Sequence, residues 1–156
     1  MSDEKKLAII ATKGSLDWAY PPFILASTAA ALGYEVQIFC TFYGLQLLRK
    51  KMDLKVTSLG NPGMPMPMPM PVMLQALPGM QSMMTVMMKQ KMKSKGVASL
   101  EELRELCIEA DVKLIACQMT VDLFEFSTND FIDGIEYGGA ATFFEFAGES
   151  DVCLFI

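Results

Sequence analysis

Short apolar runs alternate with longer amphipathic or alanine-rich segments along most of the chain. The apolar runs predict strands at 7–11, 34–40, 56–59, 112–117 and 151–156. The longer segments predict helices at 18–32, 43–51, 119–126 and 138–148, and one that begins at Ser99. Strands that alternate with helices favour a parallel sheet covered on both faces. We therefore predict an α/β fold, a three-layer sandwich around a mostly parallel sheet of about five strands.

The helix that follows residue 98 has a clear start signal. Ser99 and Glu102 are spaced as a capping box, in which each side chain bonds the backbone N–H of the other residue. This helix places Leu103 and Cys107 on one apolar face. The first helix has Pro21 and Pro22 near its start, where we expect them in the first turn.

The composition changes abruptly between about residues 60 and 96, inside what we predict to be one domain of residues 1–156. Met and Pro alternate over residues 64–71, and a methionine-rich stretch continues to Met88. Each Pro restricts the residue before it to extended backbone, so residues 64–71 predict a polyproline-like arm. A helix should follow from about Val72, with an interruption near Pro78 and Gly79.

Three interpretations of this insertion remain open. The methionines can fill an irregular interface, above all with another copy of the chain, because thioethers adapt to uneven surfaces. The insertion can instead attach to a membrane, since Lys89, Lys91, Lys93 and Lys95 follow its apolar part. Soft thioethers can also capture Cu(I). A spanning helix is disfavoured because Gln75, Pro78 and Gly79 interrupt the apolar run.

Composition and charge exclude several classes of function. The 156 residues contain no histidine, which removes Ser-His and Cys-His nucleophiles and His-ligated zinc. Residues 1–98 carry 11 Lys/Arg against 5 Asp/Glu, whereas residues 99–156 carry 2 against 13. An acidic C-terminal half argues against nucleic acid and favours protein partners or self-assembly. The polar start of the chain lacks the layout of a secretory signal, so we expect a cytoplasmic protein.

The four cysteines form no CxxC pair, and free thiols are expected. Cys117 ends a predicted strand and precedes a predicted helix, which is where parallel sheets bind ligands and where helix N–H groups lower a thiol pKa. Cys40 ends another strand at the same edge and is a candidate second thiol. Cys107 and Cys153 are predicted to be core residues. The general tendency of cysteine to be buried leaves a core role open for Cys117 too.

Several stretches, in order along the chain, resemble the DsrE/DsrF-like family, and in particular its DsrE-like, peroxiredoxin-like branch. The resembling stretches are Lys13–Pro22, Thr41–Leu45, Ala116–Met119, Asp133–Gly134 and Tyr137–Thr142. The Met/Pro-rich insertion is similar to one in the same branch.

The resemblance implies a cytoplasmic sulfur carrier or sulfurtransferase. Cys117 would receive sulfane sulfur as a persulfide or thiosulfonate and pass it to a partner protein. Donor and acceptor proteins and a homo-oligomer are implied, and neither cofactor nor metal is expected. Some relatives carry a second cysteine eight residues after the first, where this chain has Glu125.

A carrier also needs a pocket that shields the bound sulfur. Lys13 can add a cation if its loop folds over the thiol. Glycines let backbone donors approach a small anion, which makes two glycine-containing loops candidates for substrate binding. The loops comprise Gly14 and Ser15, and Tyr137, Gly138 and Gly139. Turn geometry and helix packing are the alternative explanation for each of these residues.

The competing hypothesis is a non-catalytic interaction module, in which the insertion docks to a membrane or a membrane protein and Cys117 is buried and inert. A peroxidase is disfavoured because position 114 is leucine, so no Thr-x-x-Cys arrangement precedes the thiol. Nucleotide binding is disfavoured because Gly14 belongs to neither a GxGxxG nor a GxxxxGK[ST] motif.

Overall fold

Five strands form one sheet in the order β4-β3-β2-β1-β5, and every pairing between them is parallel. The computed structural model describes residues 4–57 and 72–156, so the predicted arm at 64–71 lies outside the described residues. The strands are β1 Lys6–Ala11, β2 Glu35–Cys40, β3 Lys113–Cys117, β4 Glu136–Gly138 and β5 Val152–Phe155. The helices are α1 Leu16–Ala31, α2 Val72–Gln75, α3 Met80–Ser94, α4 Leu100–Glu109, α5 Gln118–Leu123 and α6 Ala140–Ala147. The α/β prediction is confirmed, and the described sheet is entirely parallel.

Helices cover both faces of the sheet. Helices α1 and α4 pack on each other, and α1 packs on β1 and β2. Helix α6 lies on the opposite face, where Phe143 contacts Phe39 of β2 at 5.6 Å between ring centroids. The chain steps from β1 to β4 in one direction and then returns to place β5 beside β1. Right-handed crossovers in the two directions put the connecting helices on opposite faces.

Alternation along the strands separates the two apolar layers. Ile9, Ile38 and Leu114 belong to the large core beneath α1 and α4. Phe39 and Ile115, one residue further along their strands, belong to a smaller cluster on the α6 face. Successive side chains of a strand point to opposite faces of the sheet. The position of a cysteine along its strand therefore fixes the face on which it lies.

Helix α1 begins two residues before its predicted start. Pro21 and Pro22 therefore lie inside the helix, past its first turn. The capping box of α4 is confirmed, since the Ser99 N–H donates to Glu102 at 3.0 Å and the Glu102 N–H donates to Ser99 Oγ at 3.2 Å.

The predicted strand at 56–59 is wrong in its described part, because Val56 and Thr57 lie outside the sheet. Helix α3 satisfies this backbone instead. The Val56 N–H donates to Thr85 Oγ1 at 3.0 Å, and Gln81 Nε2 donates to the Val56 carbonyl at 2.7 Å. The apolar pattern at Val56 thus reflects burial beneath a helix rather than strand pairing. Leu59 lies outside the described residues.

Methionines on α3 divide into two rows. Every fourth residue packs against the large core, namely Met80, Met84, Met88 and Met92. A second row at the same spacing is exposed and passes from methionine to lysine, namely Met83, Met87, Lys91 and Lys95. One row therefore fills the interior of its own chain, and the other faces outward. Within residues 4–57 and 72–156, no helix has both the length and the apolarity to cross a bilayer.

Strand β4 was not predicted, because three residues are too few to show a period and Glu136 and Tyr137 are exposed. The predicted helix at 138–148 begins later, at Ala140, since Gly138 pairs in the sheet.

The predicted helix at 43–51 is a 3₁₀ helix at Phe42–Leu48. Arg104 fixes its end. The buried guanidinium donates to the Leu47 carbonyl at 2.9 Å and to the Arg49 carbonyl at 2.6 Å. These carbonyls end the segment without helical partners, and a buried cation satisfies them. Helix α4 thereby holds the segment that begins next to the carboxyl end of β2.

Candidate functional site

Cys117 is the last residue of β3 and also the N-cap of α5, so no loop separates strand from helix. Its side chain lies on the α6 face with Phe39 and Ile115 and is only 5% exposed. The N-cap position directs the unpaired N–H groups of the first helical turn toward the side chain. A sulfur at this position therefore meets backbone donors at the edge of the sheet where its strand ends.

Two threonine hydroxyls complete the surroundings of the sulfur. Thr41 follows β2 directly, and Thr120 lies in the first turn of α5. Their hydroxyl oxygens are 3.1 Å apart, and the Phe42 N–H donates to Thr120 Oγ1 at 3.3 Å. With that N–H on one lone pair of the oxygen, the Thr120 hydroxyl proton can be donated either to Thr41 Oγ1 or to the sulfur.

The surroundings of Cys117 favour the thiolate. Burial raises the pKa of the Cys117 thiol, but the hydroxyls of Thr120 and Thr41 and the N–H groups of Thr120 and Met119 lower it by more. The net result is a pKa below the ordinary value for cysteine. The thiol itself makes no side-chain capping bond to α5. We call the two hydroxyls and the two N–H groups the cradle, because hydrogen bonds to the charged form are what lower a thiol pKa.

The structure does not bring Cys40 to Cys117. Cys40 pairs in register with Ala116, so it lies one position away along the strand and on the opposite face of the sheet. It is fully buried in the large core, and burial raises its pKa to about 12. The predicted carboxyl edge is correct for both cysteines, but side-chain alternation separates them.

The other two cysteines also differ from each other. Cys107 is buried as predicted, donates to the Phe23 carbonyl at 3.4 Å, and has its pKa raised by burial to about 11. The predicted core role of Cys153 is wrong, because this residue is exposed on the edge strand β5. The α6 face is thinly covered beyond β1, which leaves this thiol in contact with solvent.

The Lys13 ammonium contacts an aromatic ring and not the Cys117 thiol. Its ammonium lies 3.7 Å from the centroid of the Trp18 ring. Gly14 has a packing role, since a Cβ there would lie 2.5 Å from the Tyr43 carbonyl oxygen. Ser15 is the N-cap of α1 and makes no side-chain capping bond. The loop after β1 thus packs against the 3₁₀ helix.

The loop after β4 lies beside the thiol. Gly138 pairs in register with Cys117, which places the end of β4 next to the end of β3. A Cβ at Gly138 would come within 2.9 Å of three Thr142 side-chain atoms. Gly139 is the N-cap of α6, and Tyr137 is partly exposed at the same edge. Of the predicted shielding residues, this second loop is the one that the fold brings to Cys117.

Sequence reasoning missed the two hydroxyls. Thr41 directly follows the last residue of β2. Position at the end of a predicted strand is the signal that identified Cys117, and the same signal was available for Thr41. Thr120 carries no separate signal, because a threonine in the first turn of a helix is common. Only the pairing of β2 with β3 shows that both hydroxyls converge on one sulfur.

Comparison with known proteins gives concordant matches over nearly the whole chain. A model of the DsrE/DsrF/DrsH-like family matches residues 3–155. The sulfur carrier protein DsrE2 of Allochromatium vinosum is 78% identical over 158 aligned positions, which cover 99% of each chain. The uncharacterized protein YrkE of Bacillus subtilis is 36% identical over 97% of each chain.

A solved structure shares the fold. The ychN protein from E. coli superposes with a TM-score of 0.56 and 14% identity, covering 97% of this chain and 99% of its own.

Replacing Thr120 by valine should slow alkylation of Cys117 by iodoacetamide at pH 7 roughly tenfold, because a charge-assisted hydrogen bond to the thiolate is lost. The pH midpoint of alkylation should rise, since the hydroxyl that lowers the Cys117 pKa is gone. Peptide mapping after timed alkylation measures both. Thr28→Val, on α1 away from the thiol, is the control. An unchanged midpoint in Thr120→Val would contradict the role of the hydroxyl.

Proposed function

Because the chain belongs to the DsrE/DsrF/DrsH-like family, we propose that it is a cytoplasmic sulfur carrier that holds sulfane sulfur on Cys117. The observation that carries the residue assignment is the position of Cys117 as the N-cap of α5, beside the paired hydroxyls of Thr41 and Thr120. A carrier needs a nucleophilic thiolate when it loads and a stable leaving group when it unloads. One set of donors serves both needs.

Loading proceeds by thiol–disulfide-type exchange. The Cys117 thiolate attacks the outer sulfur of a donor R–S–SH, the donor S–S bond breaks, and R–S⁻ leaves, so that Cys117 becomes Cys117–S–SH. With tetrathionate the same attack expels thiosulfate and leaves a thiosulfonate on Cys117. Neither reaction requires a cofactor or a second cysteine, which agrees with Cys40 lying on the other face.

In unloading, the Cys117 sulfur is the leaving group and no longer the nucleophile. An acceptor thiolate attacks the outer sulfur, and the electron pair of the broken S–S bond returns to Cys117 as a thiolate. A thiol with a lowered pKa leaves faster, so the donors of Met119, Thr120 and Thr41 promote release as well as loading. Donor and acceptor proteins are therefore the partners of the carrier, which acts stoichiometrically or as a sulfurtransferase.

Incubation of the reduced protein with polysulfide should add mass in steps of one sulfur atom, and dithiothreitol should remove it. The gain should disappear in Cys117→Ser, because only this thiol has the anion-stabilising cradle. It should persist in Cys40→Ser and in Cys153→Ser, which tests the one exposed thiol. Intact-mass spectrometry is the measurement. A wild type that gains no mass, or a gain that survives Cys117→Ser, would favour the interaction module instead.

We also propose that the chain forms a homo-oligomer through the thinly covered α6 face. An open apolar cavity of about 440 Å³ lies between α6 and β5. Phe144 and Phe155 at its border are 68% and 73% exposed. An exposed apolar border along an edge strand is a typical self-association surface.

Sedimentation velocity should give a species larger than the monomer, and Phe155→Ser should shift it toward the monomer by removing the exposed ring from the contact. Leu32→Ser, an equally exposed apolar residue at the end of α1, is the matched control and should leave the assembly intact. A monomeric wild type at micromolar concentration would refute this assembly.

We also propose that the exposed face of α3 makes a peripheral contact with a membrane. The exposed row of α3 joins Met83 and Met87 to Lys91 and Lys95, so one helix face offers apolar side chains and cations in line. Such a face suits the headgroup region of an anionic bilayer.

Vesicles of phosphatidylcholine with phosphatidylglycerol should co-sediment with the protein, and pure phosphatidylcholine vesicles should not. The double variant Lys91→Gln/Lys95→Gln should weaken binding about thirtyfold, because each lysine near the surface contributes about 1 kcal/mol. Lys113→Gln, an exposed lysine at the start of β3, is the control. Equal binding to both kinds of vesicle would argue against the electrostatic contact.

A further inference from the structure

An exposed group of apolar side chains borders the Cys117 cradle. We call it the apolar collar, and its members are Phe42, Tyr43, Met119, Leu123 and Phe124. Tyr43 and Met119 are 66% and 62% exposed. The Tyr43 ring stacks on Phe124 at 6.1 Å, and the Phe42 ring meets Phe124 edge-on at 6.2 Å. The three rings thus join the 3₁₀ helix to the C-terminal end of α5, and Met119 and Leu123 lie four residues apart on the same helix.

Backbone contacts fix the collar to the thiol. Phe42 follows Thr41, and its N–H donates to Thr120 Oγ1, so both hydroxyls of the cradle are tied to the collar. Phe42 has a φ of 49°, the left-handed region that a bulky residue rarely adopts. This backbone aims the N–H at Thr120 and leaves the ring 44% exposed. Strain of this kind is typical of functional sites.

The surface around the collar is acidic. Residues 118–139 contain five acidic residues and neither Lys nor Arg. Asp122 and Glu125, both exposed, lie at the collar itself. Arg49 is half-buried behind the collar, with its guanidinium 5.4 Å from the Phe126 ring and bonded to Gln46. Lys13, in the loop that packs against the 3₁₀ helix, has its ammonium 3.7 Å from the Trp18 ring. A partner that approaches the collar therefore meets an apolar centre with a negative border.

We propose that the apolar collar docks a basic protein that presents a cysteine thiol next to apolar side chains. The inference rests on the proposed carrier function and names the chemistry of its acceptor. Charge complementarity identifies the occupant, because an acidic border attracts a cationic surface and also raises the local concentration of that partner. Exposed aromatic and methionine side chains supply apolar contact area, which is removed from water when the partner binds.

Docking of the partner on the collar compensates for the low exposure of the Cys117 sulfur. Cys117 is 5% exposed, so a partner meets little of its Sγ. The persulfide adds one more sulfur atom beyond Sγ, and a partner seated on the collar can attack that atom. In the transfer, the partner thiolate forms a bond to the outer sulfur. The S–S bond between that sulfur and Cys117 Sγ breaks, and Cys117 becomes a thiolate again. The partner leaves as its own persulfide, so no external oxidant or reductant is needed.

The test is single-turnover transfer from Cys117 persulfide, in a Cys153→Ser background that leaves no exposed thiol. Three acceptors are compared, namely free cysteine, a peptide whose cysteine is flanked by lysine and leucine, and its counterpart with glutamate for lysine. The lysine peptide should accept sulfur roughly tenfold faster than the glutamate peptide at low salt. The difference should shrink as salt rises.

Collar variants supply the structural control. Leu123→Ser and Asp122→Asn/Glu125→Gln should slow transfer to the lysine peptide more than transfer to free cysteine. Leu32→Ser and Glu109→Gln make matched changes at the opposite edge of the sheet and should affect neither reaction. Loading by polysulfide is measured first in every variant, so that a misfolded variant is recognised and does not count.

Three results would overturn the inference. Equal rates for the two peptides would show that charge does not select the acceptor. Collar variants that match the wild type would show that the collar does not bind it. Collar variants that change the sedimentation of the protein would assign the patch to a second copy of the chain. Failure of the wild type to load would instead refute the carrier function, and is seen before any acceptor is added.

Discussion

The junction of β3 with α5 is the constraint on which the candidate site depends. A parallel strand delivers its last residue to the edge of the sheet, and here the helix begins at the next residue. Cys117 is therefore held by strand pairing on one side and by the first helical turn on the other. Helix N–H groups and neighbouring hydroxyls replace the histidine that the chain lacks. The lowered pKa of Cys117 thus comes from neutral donors.

Position in the fold then assigns different environments to the four cysteines. Cys40 and Cys107 lie in the large core, where burial raises their pKa to about 12 and about 11. Cys117 lies on the opposite face, in the cluster under α6, with donors that lower its pKa. Cys153 is exposed on the edge strand. One buried thiol thus has a pKa below the ordinary value, and this difference follows from position in the fold.

The insertion and the collar lie in different parts of the fold. Helix α3 uses one methionine row to cover the 52–57 segment and leaves a second row outside. The 3₁₀ helix, fixed at its end by Arg104, carries Thr41 at its N-cap and Phe42 as its first residue. The same short segment thereby supplies a hydroxyl to the thiol and an aromatic ring to the surface. A few residues of backbone thus join the Thr41 hydroxyl to the collar.

The sequence by itself determined the α/β class, most of the strands and the edge at which Cys117 lies, because apolar periodicity and capping residues are local signals. It could not distinguish Val56 under a helix from Val56 in a strand, since both are buried. It could not reveal the three-residue strand β4, which is too short to show a period. Only the tertiary structure decided that Cys40 faces away from Cys117 and that Thr41 meets Thr120, because strand register and long-range packing set those distances.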